Sequence, residues 1–317
     1  MTYGRILDMK PALPEFRKEV IASLSDNPKW IHPKFFYDRK GSDLFDAITW
    51  LPEYYLTRAE TEILTSRCGE IAALTDGVTR AMELGPGMGR KSLMLLRCIG
   101  GLKEYVLLDI SMQSLEKAVE LLEAEFPQKE ITGICSDYLS SESLPMSGNQ
   151  SRSMIVFLGS TIGNMETSDA ERFLASCSRQ MKNEDLLFIG VDMKKDLKVL
   201  LSAYNDSSGV TAEFNLNLIR RISEEFGVDI PEGTFMHRAV YNESLGRIEM
   251  HLDCKADLSL DLEGTLIRFR EGESIHTESS YKYSPEEFGK MLLASGFSGY
   301  TRLSDSRDYY SVFIARK

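Results

Sequence analysis

The chain has no apolar run of roughly 18 residues, the length a helix needs to cross a bilayer, so no membrane span is expected. Its start, MTYGRILDMKPALPEF, mixes acids with bases and holds no apolar core of signal-peptide length. Cysteine is scarce and odd in number: Cys68, Cys98, Cys135, Cys177 and Cys254, widely spaced and with no CxxC pair. That pattern predicts reduced thiols in a cytoplasmic protein and argues against a zinc site. The four histidines, His32, His237, His251 and His276, form no HxxxH pair, and no metal is expected. Basic charge is also short. Lys and Arg number 37 against 48 Asp and Glu, a formal net charge of −11 at pH 7. No basic patch stands out, so a nucleic-acid partner is not expected. Internal repeats and low-complexity tracts are absent.

What is present is ordinary globular material. The 317 residues are 43% hydrophobic and 27% charged, enough for one large domain or two moderate ones. The segment KWIHPKFFYDRKGSDLFDAITWLPEYYLTRAE (29–60) is dense in aromatics, among them Trp30, Phe35, Phe36, Tyr37, Phe45, Trp50, Tyr54 and Tyr55. TRAETEILTSRCGEIAAL (57–74) reads as a helix, with Thr57 as N-cap and Glu60 completing a capping box.

From residue 79 strands and helices alternate: TRAMEL, then RKSLMLLRCI, then EYVLLDI ending on Asp109, then MQSLEKAVELLEAEF. After these come ITGICSDYL ending on Asp137, SMIVFLG, DAERFLASCSRQM and DLLFIGVDM. The apolar positions 115, 118, 119, 122 and 126 repeat near 3.6 residues, which fits a helix. This order predicts an α/β fold, a doubly wound, mostly parallel Rossmann-like sheet with helices on both faces. Near residue 195 the rhythm breaks into helical and then antiparallel strand patterns, and YYSVFIAR reads as a last strand returning to the first sheet. The expected division is 58–195 with 284–317 in one domain, and 1–57 with 196–283 in a second, α+β domain.

The stretch ELGPGMGRKS (83–92) sits between the first of those strands and its helix. Such a turn holds nucleotide cofactors, because glycine lets the backbone come close and the helix N-terminus offers free N–H groups. Gly85 and Gly87 match a dinucleotide fingerprint, but Arg90 stands where its third glycine belongs, and Gly89 comes one residue early. The E-x-G-x-G-x-G form favours S-adenosylmethionine (SAM) over NAD. Asp109, twenty residues past Gly89, can accept both ribose hydroxyls. Asp137 is placed to accept from the adenine amino group, and Tyr138 to cover the ring.

Several longer stretches, FFYDRKGSDLFDAITWLPEYYLTRAE, VFLGSTIGN, AYNDSSGVTAEFNLN, RIEMHL and TESSYKY, resemble the histidine-specific SAM-dependent Nα-methyltransferases of ergothioneine biosynthesis. The resemblance runs over nearly the whole chain. It implies a methyltransferase domain with SAM as methyl donor, and a second domain that binds a small amino acid, L-histidine. The turn departs from the common bacterial form GSGTSEK, but Gly85, Gly87 and Lys91 remain.

Position by position, the resemblance implies a SAM site of Gly85, Gly87, Lys91, Asp109, Asp137 and Tyr138. It places Tyr54, Asn164 and Tyr204 on the carboxylate and amino group of the acceptor. Tyr37 and the Gly159 carbonyl fall near the nitrogen to be methylated. Glu278 and Ser280 read the imidazole, with Met250 against the ring. A monomer acting on a free amino acid, with no nucleic acid or membrane partner, completes the expectation.

Taken singly, the same residues have plainer readings. Glu278 reads as an exposed strand residue, Met250 as core, Asn164 as a turn residue, and Tyr37 and Tyr54 as packing groups. Other functions stay open beside histidine methylation: N-methylation of another aromatic or modified amino acid, or a catalytically silent SAM-binding module. An NAD-dependent oxidoreductase is disfavoured by Arg90.

Overall fold

The computed structural model describes residues 5–9, 16–137 and 152–317. Along the chain these form β1 (Arg5–Asp8), α1 (Phe16–Ser25), β2 (Lys29–Trp30), α2 (Arg39–Thr49), α3 (Tyr55–Ser66), α4 (Cys68–Leu74) and β3 (Val78–Leu84). Next come α5 (Arg90–Cys98), β4 (Glu104–Asp109), α6 (Met112–Glu125), β5 (Glu130–Cys135), β6 (Arg152–Phe157), α7 (Thr167–Gln180) and β7 (Leu186–Asp192). The remainder is α8 (Leu197–Tyr204), α9 (Val210–Phe226), β8 (Phe235–Asn242), β9 (Arg247–Cys254), β10 (Leu258–Leu262), β11 (Thr265–Phe269), β12 (Ser274–Tyr281), α10 (Pro285–Ala294), β13 (Gly299–Ser304) and β14 (Tyr310–Arg316).

These elements divide into two compact units, one of which includes 56–194 and 283–317, the other ending its two segments at Tyr55 and Lys282. The first is built on an eight-stranded sheet ordered β1-β5-β4-β3-β6-β7-β14-β13. Strands β1 and β3 to β7 run parallel, whereas β14 is antiparallel to both β7 and β13. The inner strands are mostly apolar, as strands covered on both faces tend to be. Leu186–Asp192, for example, is buried at every position. The sheet is therefore doubly wound and mostly parallel, with the chain order reversing at β3, whose neighbours are β4 and β6. That reversal opens a crevice at the carboxyl ends of the strands, the usual ligand position of such sheets.

Four sequence expectations are corrected. The start of the chain was assigned to the second unit, but β1 extends the first sheet by pairing with β5 in register Arg5↔Thr132 to Asp8↔Cys135. The reading of 57–74 as one helix capped at Thr57 fails at its start and in its middle: α3 begins at Tyr55 and stops at Ser66, and a second helix, α4, completes the stretch to Leu74. Strand β5 ends at Cys135, so Asp137 lies two residues beyond it. Finally, Cys68 and Cys98 are joined as a disulfide, Cα atoms 5.1 Å apart, while Cys135, Cys177 and Cys254 are free and buried.

The second unit carries a four-stranded sheet, β2-β12-β9-β8, and a separate β10-β11 hairpin. Strands β8, β9 and β12 are antiparallel, and β2 adds a parallel edge. Burial alternates along β9 and β12, with Ile248, Met250, Leu252 and Ile275 inside, as expected of a sheet with one covered face. Helix α9 brings Phe214, Leu218 and Ile222 to the core, and Phe214 stacks on Phe36 at 4.5 Å. No helix among the described residues is long and apolar enough to cross a membrane.

Candidate functional site

In the first unit the glycine turn leaves β3 and enters α5. Gly85, Gly87 and Gly89 all have positive φ, +67°, +55° and +75°. Only glycine adopts that backbone freely, so the turn is built by residue type rather than by packing. A Cβ on Gly87 would meet no heavy atom within 4 Å, so this face of the turn is open. A Cβ on Gly89 would sit 3.0 Å from that of Ala118, because α6 passes close behind. Gly85 donates its N–H to the Leu108 carbonyl at 2.8 Å, which ties the turn to β4.

Asp109 ends β4 beside the turn. It accepts the Gly87 N–H at 3.3 Å and the Ser111 N–H at 2.9 Å. Burial pushes its carboxyl above the usual range, against those hydrogen bonds. A carboxylate with lone pairs to spare, next to open backbone at Gly87, fits a ribose diol and an aminoacyl chain. Asp137 lies just past the carboxyl end of the adjacent strand β5. Tyr138 falls outside the described residues.

A buried acid that the sequence reading spent on a capping box is the hub of this unit. Glu60 is fully buried and makes four bonds to three groups. Its Oε2 lies 2.5 Å from the Lys91 Nζ, and its Oε1 accepts the Tyr310 hydroxyl at 2.7 Å. The Gly159 N–H reaches both oxygens, at 2.9 and 3.2 Å. Glu60 thus joins the helix of the glycine turn to the end of β6. Its place was visible in the periodicity, since Leu56, Ala59, Ile63 and Leu64 make an apolar stripe on which Glu60 falls. Gly159 has φ +79° and is followed by Ser160 at +57°, whose hydroxyl accepts the Asp192 N–H at 2.9 Å. Asn164 closes the short turn Thr161–Asn164 after it.

In the second unit Tyr37 and Tyr54 both turn an edge to Phe45, at 5.5 and 6.3 Å, and Tyr37 also meets Phe214 at 5.8 Å. Asp38 fixes this corner. It caps α2 by accepting from Gly41 N–H at 2.6 Å, and it takes Asn217 Nδ2 at 2.9 Å and Arg220 Nη2 at 3.1 Å from α9. Tyr37, beside it, is 47% exposed despite its ring contacts.

Strand β12 presents Glu278 and Ser280 two residues apart, hence on one face. Met250, buried on β9, is the register partner of Glu278. Tyr204, at the end of α8, shares a 2.7 Å hydrogen bond with the Ser280 hydroxyl. The buried Lys282 donates to both, at 2.9 Å to Tyr204 and 2.8 Å to Ser280. This lysine falls within the stretch TESSYKY, where the sequence reading gave it no role. Behind the face, Thr277 donates to Asn215 Oδ1 at 2.8 Å and to the Met250 carbonyl at 3.0 Å. Asn215 Nδ2 meets His237 Nδ1 at 2.9 Å, and His237 Nε2 meets the Tyr204 carbonyl at 2.9 Å.

Glu278 differs from Glu249 on the neighbouring strand. Among the described residues no protein donor reaches its carboxyl, and burial pushes that carboxyl up to about 7 although Lys282 pulls it down. Glu249, on β9, shows the contrast. Burial raises it too, but Arg247 at 2.8 Å, Asn242 at 3.0 Å and His251 at 3.1 Å bring it down to about 2. No group of three or more His, Cys, Asp and Glu that could hold a metal occurs among the described residues.

The sequence-predicted residues therefore fall into two sets. Gly85, Gly87, Lys91, Asp109, Asp137, Gly159 and Asn164 belong to the first unit. Tyr37, Tyr54, Tyr204, Met250, Glu278 and Ser280 belong to the second. Direct bonds join Gly87 with Asp109 and Tyr204 with Ser280, and Glu60 joins Lys91 with Gly159.

Comparison with known proteins bears on these sets. The chain is 38% identical over 304 residues to a histidine N-alpha-methyltransferase of Mycolicibacterium smegmatis, covering 93% of each. It is 36% identical over 306 residues to a protein of the same name from Mycobacterium tuberculosis, covering 95% of this chain and 94% of the relative. Ergothioneine biosynthesis protein 1 of Neurospora crassa is 31% identical over 324 residues; these cover 98% of this chain but 36% of that longer protein. Residues 16–317 match a family model described as histidine-specific methyltransferase, SAM-dependent, and the chain belongs to that family of SAM-dependent enzymes.

Proposed function

We propose that this methyltransferase acts on the α-amino group of free L-histidine, adds three methyl groups and so supplies the betaine used in ergothioneine synthesis. One observation carries the choice of acceptor: the carboxyl of Glu278, partly buried and given no protein donor, beside the hydroxyl of Ser280 on the same strand face. Such a carboxylate gains most from a ligand that brings its own N–H. An imidazole brings one, and its second nitrogen can meet a hydroxyl. Indole and phenyl rings leave at least one of these groups unpaired, which costs discrimination of orders of magnitude in sites of this type. Met250, paired with Glu278, packs against the ring.

The glycine turn, with Gly85, Gly87, Lys91, Asp109, Asp137 and Tyr138, holds SAM in the first unit, and the second unit binds the amino acid. SAM supplies a methyl group on a sulfonium, which a free amine displaces in line. Most of the rate enhancement then comes from aim. Tyr54, Asn164 and Tyr204 hold the acceptor by its carboxylate and amino group, and Tyr37 and the Gly159 carbonyl lie by the nitrogen. As methyls accumulate that nitrogen becomes a fixed cation, which aromatic faces tolerate at about 0.5–2 kcal/mol each. The tyrosines of the N-terminal segment suit that product.

Mass spectrometry of a reaction with SAM and all twenty amino acids, beside a Glu278→Ala variant, tests this. The expected product is histidine heavier by three methyl groups, much reduced in the variant. Methylated tryptophan or tyrosine instead would overturn the histidine assignment.

A further inference from the structure

Lys282 is buried to within 2% of its surface, and its Nζ is committed to two hydroxyls. An ammonium group only donates, so Tyr204 and Ser280 each accept from it. The two hydroxyls also bond to each other at 2.7 Å. A phenol is the stronger acid of the pair, so Tyr204 is the better donor to Ser280. With that arrangement both lone pairs of Ser280 are filled, one by Lys282 and one by Tyr204. Its own hydrogen then has to point elsewhere, and no further protein acceptor for it exists among the described residues. Burial of the ammonium among these oxygens raises the cost of any other arrangement, since low dielectric strengthens each bond and penalises each one left unmade.

We propose that Lys282 is a positioning residue which fixes the Ser280 hydroxyl as a donor, so that the second unit takes a neutral imidazole in one tautomer, its bare nitrogen toward Ser280 and its N–H toward Glu278. This rests on the histidine reading above and adds to it the polarity of the subsite. Without Lys282, Ser280 becomes either donor or acceptor, and the site accepts both tautomers poorly rather than one well. The same charge favours the carboxylate form of Glu278, so one residue sets the polarity at both ends of the ring.

The test uses the full chain with L-histidine and saturating SAM, comparing wild type with Lys282→Met, Lys282→Gln, Ser280→Ala and the Lys282→Met/Ser280→Ala pair. The SAM dissociation constant of each variant, read first, reports a folded chain. Lys282→Met is expected to raise KM for histidine about tenfold while kcat stays within about threefold, the loss of a charge-assisted hydrogen bond made in ground state and transition state alike. Lys282→Gln, which keeps N–H donors, should fall between wild type and Lys282→Met. In the Ser280→Ala background the Lys282→Met change should add little, because the group it acts through is gone.

Independent, multiplicative losses, or a loss in kcat alone, overturn the positioning role. Should Lys282→Met fail to bind SAM, the cycle run with Lys282→Gln gives the same comparison. If wild type methylates histidine and KM is indifferent to Lys282, the positioning role falls alone. If wild type leaves histidine unmethylated, the acceptor reading falls and takes this one with it.

Discussion

Gly159 donates its backbone N–H to both carboxylate oxygens of Glu60, at 2.9 and 3.2 Å. Because Glu60 also holds Lys91 at 2.5 Å and Tyr310 at 2.7 Å, one side chain couples three separate stretches of the first unit. Removing one member of a buried charged set leaves the others desolvated and unpaired. Glu60→Ala should therefore cost about 3 kcal/mol in denaturant unfolding, and Glu60→Gln about half as much, since the amide keeps one acceptor. Both should weaken SAM binding, measured by calorimetry, because Lys91 and Gly159 lose their common anchor. Unchanged stability in Glu60→Ala would mean that the four bonds do not act as a set.

Two glycines of the same turn should separate strain from function. Gly89→Ala meets both a positive φ of +75° and the Cβ of Ala118 at 3.0 Å, so it should destabilise by about 2–4 kcal/mol. Gly87→Ala meets a positive φ of +55° and open space, so its cost to the fold should be only about 1–2 kcal/mol. If the open face of Gly87 holds the methyl donor, SAM affinity should nevertheless fall about tenfold or more in Gly87→Ala, which puts backbone at a ligand contact. Thermal melting and calorimetry on the two variants give the comparison. Equal SAM affinity in wild type and Gly87→Ala would place the ligand elsewhere.

Glu83 should make the first unit sensitive to pH in an unusual direction. It is 2% exposed and burial pushes it up to about 7, even though it accepts from Ser92 and from the Tyr105 hydroxyl at 2.8 Å. Between its ordinary value near 4.5 and about 7 the folded chain holds a proton that the unfolded chain has lost. The stabilisation from this group is thus full below pH 4.5 and is lost as pH rises through 7. Glu83→Gln, which cannot ionise, should flatten that slope by up to about 3 kcal/mol across the window. Denaturant midpoints of the two proteins at a series of pH values would show it. Parallel curves would rule it out.

What could be read from the sequence follows from which residues carry local information. The βα alternation from 79 to 193 was legible because inner strands such as β7 are continuous apolar runs and α6 repeats at helical spacing. The glycine turn was legible because positive φ at Gly85, Gly87 and Gly89 demands the residue type. Strand β1 was not, because four residues ahead of a proline-containing segment carry no period, and only pairing with β5 defines it. Glu60 satisfied a capping-box spacing with Thr57, and the buried network outweighed that local option. Lys282 was illegible for the same reason: its meaning comes from Tyr204 on another element. The cysteine reading failed because a spacing of thirty residues says nothing about a pair that α4 and α5 bring within 5.1 Å.

The sheet order has a further consequence for how the chain is made. Strand β14 lies between β7 and β13, and its Tyr310 closes the bonds of Glu60. Vectorial synthesis delivers β7 early, but the strand that covers its edge arrives only after residues 195–282 have been made. During that interval β7, apolar in its side chains but for Asp192, offers an open strand edge, the kind of surface that invites wrong pairing. The nascent first unit thus depends on whatever shields that edge until translation reaches residue 316, and slowing elongation between 195 and 283 should lengthen the exposure.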